Sequence, residues 1–190
     1  GPGEAIAIPA SIAEKEALQA LIDQTREKWG RIDIAVCNAA VNPYYGSSMD
    51  IPDSAFDKIM SSNIKSNHWL CNMVLPEMIE RKDGSIIVVS SAGALKANTV
   101  IGAYTISKVA DMQLVKNLAA EHGPSNVRVN AIAPGLIRTD FARALWEDPK
   151  TLKRATATTP LRRIGEPEEV GGMAVFLASK AGSYCSGQTF

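Results

Sequence analysis

The chain has 190 residues, 46% hydrophobic and 21% charged, which is enough apolar material for one core of ordinary size and too much for a disordered chain. Twenty Lys and Arg balance twenty Asp and Glu, so the electrostatic argument for a nucleic-acid or anionic-membrane partner is missing. No apolar run nears the roughly 20 residues that cross a bilayer. Gly1 to Glu4 lack a signal-peptide pattern, and the cysteines Cys37, Cys71 and Cys185 are too scattered for a metal site and point to a reducing, cytoplasmic setting.

In chain order, Ala5 to Ile8 reads as a first short strand. Glu14 to Trp29 reads as an amphipathic helix with Ala17, Leu18, Leu21 and Ile22 on its apolar face, closed by Gly30. Ile32 to Val36 is a compact apolar strand, and Asn38 to Tyr45 is a loop. Asp53 is the expected N-cap of a long helical segment reaching about Glu80, with a break near Ser61 to Asn63. Ser85 to Val89 is β-branched without alternation, the pattern of a strand buried on both faces of a parallel sheet. A helix from Ala103 to His122 and a strand from Asn126 to Ile132 follow. A mixed segment then leads to a helix from Pro167 to about Ala178, and Gly187 to Phe190 begins another strand. This alternation predicts an α/β fold, a Rossmann-type doubly wound parallel sheet.

Ligands of such sheets bind beyond the carboxyl ends of the strands. The segments there are Asn38-Ala39-Ala40, Ser90-Ser91-Ala92-Gly93 and Ala133-Pro134-Gly135, all small enough to let a flat ligand approach the backbone. Tyr104 and Lys108 stand four apart near the start of the following helix and so share a face. A phenol is a poor acid or base at neutral pH. Bringing its pKa to near ~7 takes about 4 kcal/mol, which a nearby ammonium and a second positive group can supply. Ser91 ends the buried strand, where its hydroxyl can share a substrate oxygen with the phenol. Asn63 sits inside a helix, where its amide competes with the backbone and can aim a kink at the site. A hydrolase finds no support: Ser91 lacks a G-x-S-x-G elbow, and His68 and His122 lie on helices away from it.

These residues resemble the short-chain dehydrogenase/reductase superfamily over essentially the whole chain. Cys37-Asn38-Ala39-Ala40 stands where that family has Asn-Asn-Ala-Gly, and Asn63-Ile64-Lys65-Ser66 matches its Asn-containing helix segment. Ser90-Ser91-Ala92-Gly93 and Tyr104-Thr105-Ile106-Ser107-Lys108 match its Ser and Tyr-x-x-x-Lys motifs. Val127 to Gly135, with Ile137-Arg138-Thr139, resembles the strand and loop that close on the nicotinamide. Asn38 to Pro43 and Ala144 to Asp148 resemble the carbonyl and retinal reductase branch.

The resemblance implies an oxidoreductase that moves a hydride between NAD or NADP and an alcohol or carbonyl substrate. Tyr104 would be the general acid/base. Lys108 would bind the ribose and hold down the phenol pKa, Ser91 would bind the substrate carbonyl, and Asn63 would hold a water that relays protons to Lys108. Asn38, Ala39, Ala40, Pro134, Gly135, Ile137 and Thr139 would line the nucleotide, and Phe141, Leu145 and Trp146 a carbon-rich substrate under a lid at about 139–165. The family also implies a homodimer or homotetramer through the helix at Ala103 to His122, whose apolar residues cover more than one face.

Departures accompany the match. Cys37 and Ala40 replace Asn and Gly, and Ala40 would crowd the nucleotide if its φ were positive. Ser11-Ile12 replaces the Asp-Val that contacts adenine in many members. No glycine-rich phosphate loop precedes the first strand. In the family's strand order, 3-2-1-4-5-6-7, the chain would begin at the third strand and stop within the seventh, one incomplete domain over residues 1–190. Ala5 to Ile8 would then lack a partner and Ile32 to Val36 would be an exposed apolar edge. The competing reading is a non-catalytic binding or regulatory homologue that has lost nucleotide capture.

Overall fold

The computed structural model describes residues 3–190. Residues 3–10 have no regular structure, so Ala5 to Ile8 is not a strand. Backbone groups in a strand need a neighbour, and among the described residues the sheet holds three strands, none of them beside this segment. Helix α1 (Lys15–Trp29) buries Leu18 and Ile22. Gly30 ends it at φ 83°, its N–H bonding Arg26 O at 2.7 Å.

Strands β1 (Ile34–Cys37), β2 (Gly84–Val89) and β3 (Val127–Ile132) pair in parallel in that order. Ala35 stands opposite Ile86, and Ile86 opposite Val129. β2 is central, which is why Ile86, Ile87 and Val88 are all buried and its sequence does not alternate. Gly187 to Phe190 runs beside β3: Gly187 N–H bonds Val129 O, Ala131 N–H bonds Gln188 O, and Phe190 N–H bonds Ala131 O. The segment makes an isolated parallel bridge, Thr189 opposite Ala131, rather than a strand of its own.

Helices cover both faces. On one, α1, α3 (Ser66–Glu80) and α4 (Gly102–His122) pack Ile22, Val74, Met78, Val115 and Leu118 against Ala35, Ile86, Val88 and Val129. On the other, Leu177 of α7 (Pro167–Ala178) packs against Ile87 and Ile132. α7 lies on β2 and β3, and Ile34 and Val36 on the outer strand stay 47% and 46% exposed. The apolar edge read from the sequence is therefore present.

Two details differ from the sequence reading. Asp53 is the first residue of α2 (Asp53–Met60), and Pro52 occupies the cap position. The acid still faces the positive end of the helix. The break after α2 is a single π-helical turn, Ser61–Lys65, that runs straight into α3. Residues 139–165 form an arm with a 3-10 turn at Asp140–Ala142 and two short helices, α5 (Arg143–Trp146) and α6 (Pro149–Thr156). Its two ends are tied together: Arg138 N–H bonds Gly165 O at 2.9 Å, Gly165 N–H bonds Leu136 O at 3.0 Å, and Arg138 Nε meets Glu166 Oε1 at 3.1 Å.

Candidate active site

The carboxyl ends of the strands open onto a cavity of about 1080 Å³. Asn38, Ala39 and Ala40 line it beyond β1, Ser91 beyond β2, and Pro134 and Gly135 beyond β3. Tyr104 and Lys108 enter from α4, and Ile137, Thr139, Phe141 and Leu145 from the arm. Parallel strands end on one side, so residues far apart in sequence meet here. Two of the expected site residues, Asn63 and Trp146, do not line the cavity.

Ala40 is not among the residues with positive φ, which apart from glycine are Lys82, Asn126 and Arg162. The expected crowding by its methyl on that ground does not arise. Cys37 is buried, and its hydrogen bond with the Cys71 thiol, together with that burial, pushes its pKa well above the usual thiol value. It is a neutral core group.

Tyr104 lies in the first turn of α4, its ring 5.9 Å from that of Phe141. Desolvation pushes its phenol up to about 12; the Ser91 hydroxyl opposes this, and the negative charge of Asp111 and the neighbouring Tyr45 add to it. The Lys108 ammonium lies 5.8 Å from the centre of the Tyr104 ring. The Lys108 ammonium donates to Asp111 Oδ2 at 3.0 Å and to Val89 O at 2.8 Å. The buried ammonium is thus held between a carboxylate and a carbonyl. One of the three ammonium donors remains.

Ser91 accepts from Gly93 N–H at 3.1 Å and so caps the 3-10 turn Ala92–Leu95. Its hydroxyl proton is the one directed toward the Tyr104 phenol, whose pKa it lowers. Ser90 points elsewhere, its Oγ donating to Lys108 O at 2.7 Å and tying the end of β2 to α4. Asn63 is fully buried. Its Oδ1 accepts from Val41 N–H at 2.8 Å, and its Nδ2 donates to Val41 O at 3.0 Å and to Ser107 Oγ at 3.0 Å. The wide π-helical turn carries this amide to the loop after β1 and to α4. Trp146 sits outside the cavity, with its indole N–H on Thr139 O at 2.8 Å and the Arg138 guanidinium 5.4 Å from its ring. It holds the arm rather than facing the space where a substrate would lie.

Three polar residues escaped the sequence reading. Asp111 is fully buried beside Lys108, and Asn67 Nδ2 bonds both Asp111 Oδ1 at 2.8 Å and Asn63 O at 2.7 Å. A lone carboxylate three residues after Lys108, next to the apolar Met112 and Val115 of α4, was the available signal. Asn42 is the third: its Oδ1 is buried without a partner, and the residue lines the cavity. No group of three or more His, Cys, Asp or Glu among the described residues is arranged to hold a metal, and no helix among them is long and apolar enough to cross a membrane.

Residues 1–190 match the family model described as enoyl-(acyl carrier protein) reductase. The chain is 43% identical over 190 residues to dehydrogenase/reductase SDR family member 4 of Bos taurus, spanning 98% of this chain and 68% of the bovine protein. The Homo sapiens protein of the same name is 39% identical over the same shares. The crystal structure of a gluconate 5-dehydrogenase from Burkholderia cenocepacia, in complex with NADP and tartrate, superposes with a TM-score of 0.90 at 30% identity, over 95% of this chain and 70% of that one. Levodione reductase superposes with a TM-score of 0.90 at 27% identity, over 95% and 72%. The motifs, the doubly wound parallel sheet and these matches agree: the chain belongs to the short-chain dehydrogenase/reductase family of oxidoreductases.

Proposed function

We propose that this chain supplies the nicotinamide and substrate end of an NAD- or NADP-dependent oxidoreductase that interconverts an alcohol and a carbonyl, with Tyr104 as general acid/base. One observation carries the reading: Tyr104, Ser91 and Lys108 line a single cavity with small residues at its strand ends. The residues fit a nicotinamide nucleotide. Asn38, Ala39, Ala40, Pro134 and Gly135 leave room beside the backbone, and Lys108 has a spare donor for ribose hydroxyls.

When bound, the nucleotide carries the hydride. In carbonyl reduction Ser91 donates its hydroxyl proton as a hydrogen bond to the substrate oxygen, and Tyr104 delivers its phenolic proton there as negative charge develops. A phenol pushed up to about 12 is fully protonated at neutral pH, ready to act as that acid. In alcohol oxidation the same group has to lose its proton first. Phe141 and Leu145, with the arm at 139–165 as the lid, favour a carbon-rich alcohol or ketone. Exposed Ile106 and Val109 on α4 support a homo-oligomer built on that helix, and free Cys37, Cys71 and Cys185 support a cytoplasmic setting.

Quenching of NADH and NADPH fluorescence by the protein carrying this chain tests the reading. Saturable quenching by one of the two is expected and assigns the nucleotide. Absence of binding to both would remove the enzyme reading and leave a non-catalytic homologue.

A further inference from the structure

We infer that Lys96, with the amide of Asn98, sets the substrate class of this cavity: the pair binds a carboxylate, so the preferred carbonyl compound is an oxo-acid with an apolar body. The inference rests on the oxidoreductase reading above and adds to it the kind of molecule that is reduced. Charge is the first observation. No Asp, Glu or Arg lines the cavity, and its charged residues are Lys96 and Lys108. Lys108 is 1% exposed and has its Nζ on Asp111 Oδ2 and Val89 O, so it belongs to the interior of the wall. Lys96 is exposed, and it enters no ion pair among the described residues. A concave wall that carries cations and no acid of its own draws in anions and favours them once bound.

The place of Lys96 in the chain assigns its charge to the substrate rather than to the nucleotide. It lies on the segment that joins Ser91 to Tyr104, the two residues proposed to hold the reacting oxygen, whereas the residues proposed for the nucleotide lie beyond β1 and β3. The segment is held along its length. Ser91 Oγ accepts from Gly93 N–H and caps the 3-10 turn Ala92–Leu95, which ends directly before Lys96. Asn98 Oδ1 accepts from Val100 N–H and Ile101 N–H, both at 2.9 Å. Gly46 N–H bonds Val100 O at 2.8 Å and ties the segment to the loop after β1. These bonds use the oxygen of the Asn98 amide and leave its Nδ2 protons to spare, on a residue that lines the cavity. An ammonium and an amide donor thus stand two residues apart on a fixed loop, a set that suits the two oxygens of a carboxylate. Phe141 and Leu145 enter the same cavity from the arm and suit the apolar body of such a substrate.

The test uses the protein carrying this chain and a ladder of aryl oxo-acids, benzoylformate, benzoylpropionate and benzoylbutyrate, each beside its methyl ester. The ester keeps the carbon body and loses the charge. One acid of the ladder is expected to have a higher kcat/KM than its ester. Lys96→Gln lowers that acid-to-ester ratio by about five-fold or more, Lys96→Glu lowers it further, and Lys96→Arg keeps it. The ratio compares two ligands on one protein, so a partly unfolded variant does not imitate the effect. An exposed ammonium is screened by salt, and the wild-type ratio falls as ionic strength rises. A ladder in which no acid is preferred overturns the inference, as does a preference that survives in Lys96→Glu. A rise in KM for the nucleotide instead of the acid also overturns it, since Lys96 would then serve a nucleotide phosphate. Calorimetric binding of the same acids and esters needs no turnover and separates this inference from the reading beneath it. Acid binding that weakens in Lys96→Glu, in a protein that reduces none of the ladder, keeps the anion site and counts against the oxidoreductase reading. Acids and esters reduced alike by wild type and Lys96→Glu keep that reading and remove this one.

Discussion

Asn63 Nδ2 donates to Ser107 Oγ at 3.0 Å, and Ser107 Oγ in turn donates to Tyr104 O at 2.7 Å. Asn63 thus reaches the backbone of the proposed acid/base through one hydroxyl. It does so from a π-helical turn, which places its amide between the loop after β1 and α4.

Removing that amide strands several buried partners at once. Asn63→Ala leaves Val41 N–H, Val41 O and Ser107 Oγ each short of one bond, and an unsatisfied buried group costs about 1–3 kcal/mol. A lower Tm by calorimetry and a fall in turnover are expected together. An unchanged Tm would show that the amide does not hold the loop to α4.

Trp146 offers a test of scaffold against pocket. Trp146→Phe keeps an aromatic face for Arg138 and deletes the indole bond to Thr139 O. One such bond is worth about 1 kcal/mol, so a roughly five-fold rise in KM is expected, similar for substrates of different shape. A change confined to one substrate shape would mean that Trp146 contacts the substrate after all.

The outer strand carries a third expectation. Ile34 and Val36 are about half exposed on a strand whose outer edge has no neighbour among the described residues, a combination that favours edge-to-edge association. In the isolated 190-residue chain, Ile34→Lys lowers light scattering on concentration and leaves the melting of the core unchanged. Equal scattering by both proteins would place the aggregating surface elsewhere.

Strand β2 and helices α4 and α7 were legible in the sequence because an unbroken β-branched run and helical apolar spacing report burial directly. Ala5 to Ile8 was misread because a short alternating run becomes a strand only beside another one. In the site, Ser91, Tyr104 and Lys108 could be found from their places after β2 and at the start of α4, since strand order brings those ends together. Asp111 could not, because a charge on a helix is usually solvated and only packing turns it inward. Trp146 looked like a pocket wall by its apolar ring, while its position was decided by its one polar atom.

At the root of α7, Glu169 accepts from both Arg163 guanidinium nitrogens, at 2.6 and 2.7 Å, and from Glu166 N–H at 2.9 Å. Its pKa falls from 4.5 to about 2, the Arg163 hydrogen bond being the largest cause. The folded state binds this proton less readily than the unfolded one, so the stabilisation is present above pH 4.5 and is lost as pH falls through about 2. Wild type should melt higher than Glu169→Gln at pH 5, with the gap closing toward pH 2. A gap that does not change with pH would contradict the assignment.

The most direct test of the proposed chemistry is steady-state turnover of an alcohol/carbonyl pair by Tyr104→Phe, measured beside nucleotide binding. The phenol oxygen is the only atom removed, and the ring can keep its place against Phe141. Loss of turnover by a factor of about 10² or more with nucleotide affinity essentially unchanged is the expected result. Turnover at the wild-type rate would contradict Tyr104 as the acid/base.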